Sequence, residues 1–228
     1  METAVPRLVV TNIVVSGFVE GVDIYDLIEG VYDDMGGLSK KKVINISWRG
    51  KYYRAVINMW RTNSILIRIV PQEEQEGGGY IDVESDKDII ELVNEVGKEL
   101  LMLIADRLGY RRYIEIVTHR EIATKLNIQN IVTQAMLPRC VDLDKLYIYI
   151  EGARPACFSA RYRSSRGRGL IPPALLIYCE TPSYRVTVEL FRTGRFQAKG
   201  ASKLSDLEEV VKKMISIIEV SGSYSECI

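Results

Sequence analysis

IPPALLIYCETPSYRVTVELFRTGRFQAKGASK, residues Ile171 to Lys203, holds three short apolar runs end to end: Ala174 to Cys179, Tyr184 to Phe191 and Arg195 to Gly200. Thr181-Pro182-Ser183 and Thr193-Gly194 divide them. Turn residues between short apolar runs predict a three-stranded antiparallel meander. In the middle run Val186, Val188 and Leu190 alternate with Arg185, Thr187, Glu189 and Phe191, so the first set faces a core and the second an open side. In the last run Phe196 and Ala198 join the apolar side, and Arg195, Gln197 and Lys199 the polar one. Phe191 is thus a large aromatic on a polar face. It is either a hairpin-end ring covering a neighbour or a platform or wedge aimed at a flat ligand, of the kind minor-groove binders use.

With 228 residues the chain can bury a full core, as one large domain or two small ones. Thirty basic residues balance thirty acidic ones, so net charge selects no partner. Its distribution is uneven: acids concentrate in Glu73 to Glu99, whereas Arg154 to Arg168 (RPACFSARYRSSRGR) is basic. Cys140, Cys157, Cys179 and Cys227 form no CxxC pair, and His119 is the single histidine, so neither a metal site nor a cofactor is expected. The expectation for the cysteines is free, buried thiols in a reducing compartment. The N-terminus lacks the regions of a signal peptide, and no apolar run approaches about 18 residues, which predicts a soluble intracellular protein with no membrane partner.

Leu8 to Phe18 (LVVTNIVVSGF) reads as a strand, followed by a helix capped by Asp23. Val43 to Trp48, Tyr52 to Trp60 and Ile65 to Val70 read as strands, Pro71 to Gly79 as a polar loop, and Tyr80 to Glu84 as another strand. Asp86 to Leu108 is the longest helical pattern, with acids in its first turn and Gly109 as its stop. After a strand at Arg111 to Val117 and a short helical linker at His119 to Lys125, the order begins again. Asn127 to Thr133 is a strand, Val141 to Ile150 a helical pattern opened by Asp142, and the meander and a helix over Asp206 to Val220 follow. Thr11-Asn12-Ile13-Val14-Val15 matches Gln129-Asn130-Ile131-Val132-Thr133, and Ala55-Val56-Ile57 matches Ala174-Leu175-Leu176. The chain therefore reads as a tandem repeat, 1–117 and 127–228 joined by a linker at 118–126. It is of the α+β class, with helices on one side of each sheet and the other side open.

Asn127-Ile128-Gln129-Asn130-Ile131-Val132, Phe191-Arg192-Thr193-Gly194-Arg195 and Lys199-Gly200-Ala201 resemble the opening strand and hairpin of the TATA-box-binding protein family, a general transcription factor of archaea and eukaryotes. The resemblance implies a saddle, two pseudo-symmetric repeats forming one curved antiparallel sheet, whose concave face lies in the minor groove of AT-rich double-stranded DNA and bends it. Carried over by residue, it makes Asn12 and Asn130 the central asparagines, Val14 and Val132 their neighbours, and Phe191 one of four wedges. Tyr53 and Val70 stand at two other wedge positions, and Pro172 replaces the fourth. Arg68, Arg195, Gln197 and Lys199 complete the implied DNA-binding set. It also implies localisation in the cytoplasm or nucleoid of an archaeon, or in a eukaryotic nucleus.

Several positions depart from the family pattern. Glu189, Asp82 and Glu84 put carboxylates where the family has Leu, Val and Thr, and Glu189 is expected to pair with Lys199 across the hairpin. Arg166 and Arg168 replace the acids that dock transcription factor B in the family, so the basic segment Arg161, Arg163, Arg166 and Arg168 is read as an exposed partner-binding loop with altered recognition. Three readings remain open: a DNA-bending initiation factor; a paralogue whose concave face binds a protein partner, to which the three acids would be suited; and an accessory module of a nucleic-acid enzyme. No residue constellation for catalysis is present in the sequence, and an enzyme is not expected.

Overall fold

A computed structural model describes residues 5–18, 43–49, 53–60, 64–71, 79–108, 126–163 and 174–227. The chain divides into two compact units, Asn12–Gln129 and, as the second, Met1–Thr11 with Asn130–Ile228. The expected helix after Asp23, the strand at 111–117 and the linker helix at 119–125 lie outside the described residues, as do His119, Arg166, Arg168 and Pro172.

The first unit contains β1 (Val9–Phe18) from Asn12 on, β2 (Val43–Arg49), β3 (Tyr53–Trp60) and β4 (Ser64–Pro71), paired antiparallel in the order β2-β3-β4-β1. Runs of Val and Ile favour the extended backbone because branching at Cβ suits a pleated surface. Pairing Ile13 and Ala55 with Ile69, and Val15 with Ile67, puts all of these on one buried face. Asn12, Val14, Ser16, Leu66 and Arg68 take the other, more accessible face. Further along, Ile81 makes one bridge and no regular strand runs through Tyr80 to Glu84. Buried Ile81 and Val83 do alternate with exposed Asp82 and Glu84 there, but alternation fixes where side chains face and supplies no backbone partner.

Helix α1 (Asp86–Leu108) follows and buries Ile89, Leu92, Val93 and Val96, leaving Ile90 exposed. Its start is closed by a reciprocal cap: Asp88 N–H donates to Ser85 Oγ at 3.2 Å, and the backbone N–H groups of Glu84 and Ser85 donate to Asp88 Oδ2 at 2.9 Å each. Those donors, the Glu84 N–H first, hold the Asp88 carboxyl below its ordinary range.

The second unit contains β5 (Asn127–Met136), β6 (Cys140–Val141), α2 (Leu143–Ala153), β7 (Phe158–Tyr162), β8 (Ala174–Glu180), β9 (Arg185–Phe191), β10 (Arg195–Ala201), α3 (Leu204–Val220) and β11 (Tyr224–Ser225). Its sheet has the antiparallel order β5-β10-β9-β8-β7, with the expected meander as β8, β9 and β10, while β6 and β11 form a separate pair. Helix α2 packs on β7 and β8, and α3 on β9 and β10. Asp142 caps α2, its Oδ1 accepting the N–H groups of Asp144 and Lys145 at 3.1 Å. The start of α3 has no side-chain cap, so packing must hold it: Leu204, Leu207, Val210, Val211, Met214, Ile215 and Ile218 are all buried. Each such residue contributes roughly 1.5–3 kcal/mol before ordering costs. At the turn between β9 and β10, Gly194 takes φ +82, and Gly200 takes φ +111 at the bulge between Lys199 and Ala201, conformations that a Cβ disfavours.

The cysteines overturn the free-thiol expectation: Cys140 bonds Cys227, and Cys157 bonds Cys179. The first bond ties the end of the chain to β6 beside the β6–β11 pair, and the second joins the chain entering β7 to β8. Partners 87 residues apart cannot be matched from spacing, since the pairing depends on which strands the fold makes neighbours. Among the described residues no helix is long and apolar enough to cross a membrane.

Candidate nucleic-acid interface

The face of the second unit's sheet away from α2 and α3 is organised in rows by strand register. One row is Ala174, Phe191, Arg195 and Met136; the next is Arg161, Leu176, Glu189, Gln197 and Gln134; the third is Ser159, Tyr178, Thr187, Lys199 and Val132. Alternation along β9 and β10 is therefore as expected: Val186, Val188, Leu190, Phe196 and Ala198 are fully buried, and Thr187, Glu189, Phe191, Gln197 and Lys199 are half-buried on the opposite face. Phe191 remains accessible and lines a depression of about 680 Å³ with Gln134, Arg163, Glu189, Arg192 and Arg195. An apolar ring beside Arg163 and Arg195 suits a ligand that combines a flat surface with negative charge, whereas the Arg192 guanidinium turns to Asp144 of α2.

Hydrogen bonds order this face. Arg163 forms an ion pair with Glu189, whose side chain is 12% exposed. This replaces the expected Glu189–Lys199 pair: Lys199 stands opposite Thr187, one row away, and Glu189 stands opposite Gln197. Arg195 Nη2 donates to Gln134 Oε1 at 3.1 Å, which leaves the Gln134 amide as a donor. Arg161 belongs to β7, not to a loop, and its Nε donates to Tyr178 Oη at 2.6 Å. The basic run looked like a loop because Ser and Gly follow it, but Phe158 and Ala160 are buried and draw its first part into the sheet.

The paired asparagines differ in their surroundings. Asn130 Oδ1 accepts the Gly200 N–H at 2.7 Å, fixing the side chain to the β10 bulge. Val132 beside it is largely covered, and its carbonyl accepts the Thr11 hydroxyl at 3.3 Å. In the first unit Asn12 Oδ1 is buried with no hydrogen-bond partner among the described residues. An uncompensated buried carbonyl costs roughly 1–3 kcal/mol. Val14 stands opposite Arg68, and Arg68 opposite Val56, so Val14, Arg68 and Val70 share the open face as expected.

Tyr53 does not. It lies two residues before fully buried Ala55 and so faces α1, where burial and a bond to Glu95 push its hydroxyl pKa up. The resemblance places it on the DNA side, but Ala55 pairs with Ile69 on the helix side, whereas Ala174 pairs with Phe191 on the open side, so the two strands matched at these alanines differ in phase by one residue. Asp82 likewise lines a depression of about 590 Å³ with Tyr53, Asp88, Glu91 and Glu95, on the helix side of the unit.

Residues 125–220 match the family model for transcription factor TFIID, or TATA-binding protein (TBP). No curated protein sequence matches the chain significantly. Among solved structures, the chain is similar to Methanococcus jannaschii TBP, with a TM-score of 0.56 and 16% identity over 95% of this chain and 99% of that one. That likeness identifies the fold as TBP-like across nearly the whole chain.

Proposed function

We propose that this chain, whose residues 125–220 match the TBP family model and whose fold is TBP-like, is a transcription initiation factor that binds and bends AT-rich duplex DNA through the minor groove. The observation that carries the reading is Phe191: an accessible aromatic on an open face whose other side chains are mostly polar, bordered by Arg163 and Arg195. Inserted at a base step, the ring kinks the duplex, and unstacking costs a few kcal/mol that the added contacts offset. Arg195, Gln197 and Lys199 supply donors toward groove acceptors and phosphates, with Asn130 and Val132 beside them. In the first unit Asn12, Val14, Arg68 and Val70 are the candidate contacts. The acids do not argue against this as strongly as their number suggests, because Glu189 is paired with Arg163. A protein partner of the transcription factor B kind, docking on Arg166, Arg168 and their neighbours, would need an acidic surface.

A mobility-shift titration on an AT-rich duplex at two salt concentrations tests the reading, with a circular-permutation bending assay alongside. Affinity should fall as salt rises, and Phe191→Ala should lower both affinity and bend angle. Absence of duplex binding at low salt, or an unaltered bend with Phe191→Ala, refutes it.

A further inference from the structure

Resting on the minor-groove reading above, we infer that Glu189 makes this interface require a G·C pair at one position within an otherwise AT-rich site, by accepting a hydrogen bond from the guanine 2-amino group. In the minor groove, A·T and T·A pairs present only acceptors, adenine N3 and thymine O2, and the one donor on any base edge there is the guanine N2–H. An ionised carboxylate accepts and cannot donate. Opposite an A·T pair, Glu189 would meet lone pairs and lose hydration without return.

The structure holds Glu189 in place instead of letting it turn into solvent. Its side chain is 12% exposed and is held by Arg163, whose positive charge compensates the carboxylate on one side. On the other side its register partner is Gln197, with Gln134 beyond. Glu189 is thus an ionised acceptor flanked by Arg163 and Gln197, side chains that can both donate. The minor-groove edge of a G·C pair presents the complement: guanine N3 acceptor, guanine N2–H donor, cytosine O2 acceptor. Glu189 and Phe191 are two residues apart on β9 and share its open face, a separation of about 6.6 Å, or roughly two base steps. The required G·C pair should lie within about two pairs of the kinked step.

The test uses the full chain and AT-rich duplexes in which a single G·C pair is moved along the site. One position should bind about tenfold tighter than the all-A·T duplex, the value of one hydrogen bond to a charged acceptor. At that position, replacing guanine by inosine, which lacks the 2-amino group, should abolish the gain. A 2,6-diaminopurine·T pair, which adds that group to an A·T pair, should restore it. Glu189→Leu, confirmed folded by circular dichroism, should bind the guanine and inosine duplexes alike, and the inosine comparison needs no variant to fold. Binding that ignores the 2-amino group at every position overturns the inference and leaves the minor-groove reading intact, as does discrimination that survives in folded Glu189→Leu. Failure to bind any duplex refutes both.

Discussion

Replacing each cystine separately by two serines should destabilise the protein unequally, and the order follows from the loops that the bonds close. Cys140 and Cys227 are 87 residues apart, and Cys157 and Cys179 are 22 apart. If the bonds act by restricting the unfolded chain, the longer loop is worth about 4.5 kcal/mol and the shorter about 3.5 kcal/mol, a difference of roughly 1 kcal/mol. Loss of the Cys140–Cys227 bond also frees the end of the chain that lays Tyr224 and Ser225 against Val141 and Cys140, which adds to its side of the comparison. The assay is urea unfolding of the oxidised protein, the two double-serine variants and the fully reduced protein, followed by far-ultraviolet circular dichroism. The variant lacking Cys140–Cys227 should have the lower midpoint, with reduced wild type below both. An equal or reversed order would show that native-state packing around the bonds, not loop closure, sets their contribution. No change on reduction would show that the thiols are not paired in the folded protein.

Arg163→Ala should cost about 1–2 kcal/mol in the same assay, between surface and buried ion-pair values, because it strands a mostly covered carboxylate. Arg163→Ala with Glu189→Gln should recover most of that loss, and an additive double-mutant cycle would count against the pair. Tyr53→Phe should lower stability by about 1 kcal/mol and leave duplex affinity unchanged, since the hydroxyl faces α1; a selective binding defect would return Tyr53 to the open face. Gly200→Ala should cost more than about 1 kcal/mol, because φ +111 disfavours a Cβ and the added methyl would meet the Arg185 carbonyl, and an unchanged midpoint would contradict that backbone. The depressed Asp88 carboxyl stabilises the start of α1 above the ordinary carboxylate range and loses that effect as pH falls through its folded value. Asp88→Asn should therefore flatten the acid limb of the stability profile, and a profile identical to wild type would contradict the cap.

The sequence by itself determined what depends on neighbours along the chain. Helix α1 has the bounds Asp86 and Leu108 that its periodicity and Gly109 mark out, and Asp142 caps α2 as its position before an apolar pattern requires. In β9 and β10, Val186, Val188, Leu190, Phe196 and Ala198 alternate with polar residues so regularly that Phe191 falls on the open face without knowledge of any partner strand. In β3 Tyr53 is placed on the DNA side by resemblance alone, and the pairing of Ala55 with Ile69 of β4 puts it on the helix side instead. Tertiary structure also chose the two cystines, added β6, β7 and β11, and gave Glu189 to Arg163 instead of Lys199. Each of these depends on which strands become neighbours, and local periodicity carries no information about a partner that lies dozens of residues away until the chain has folded.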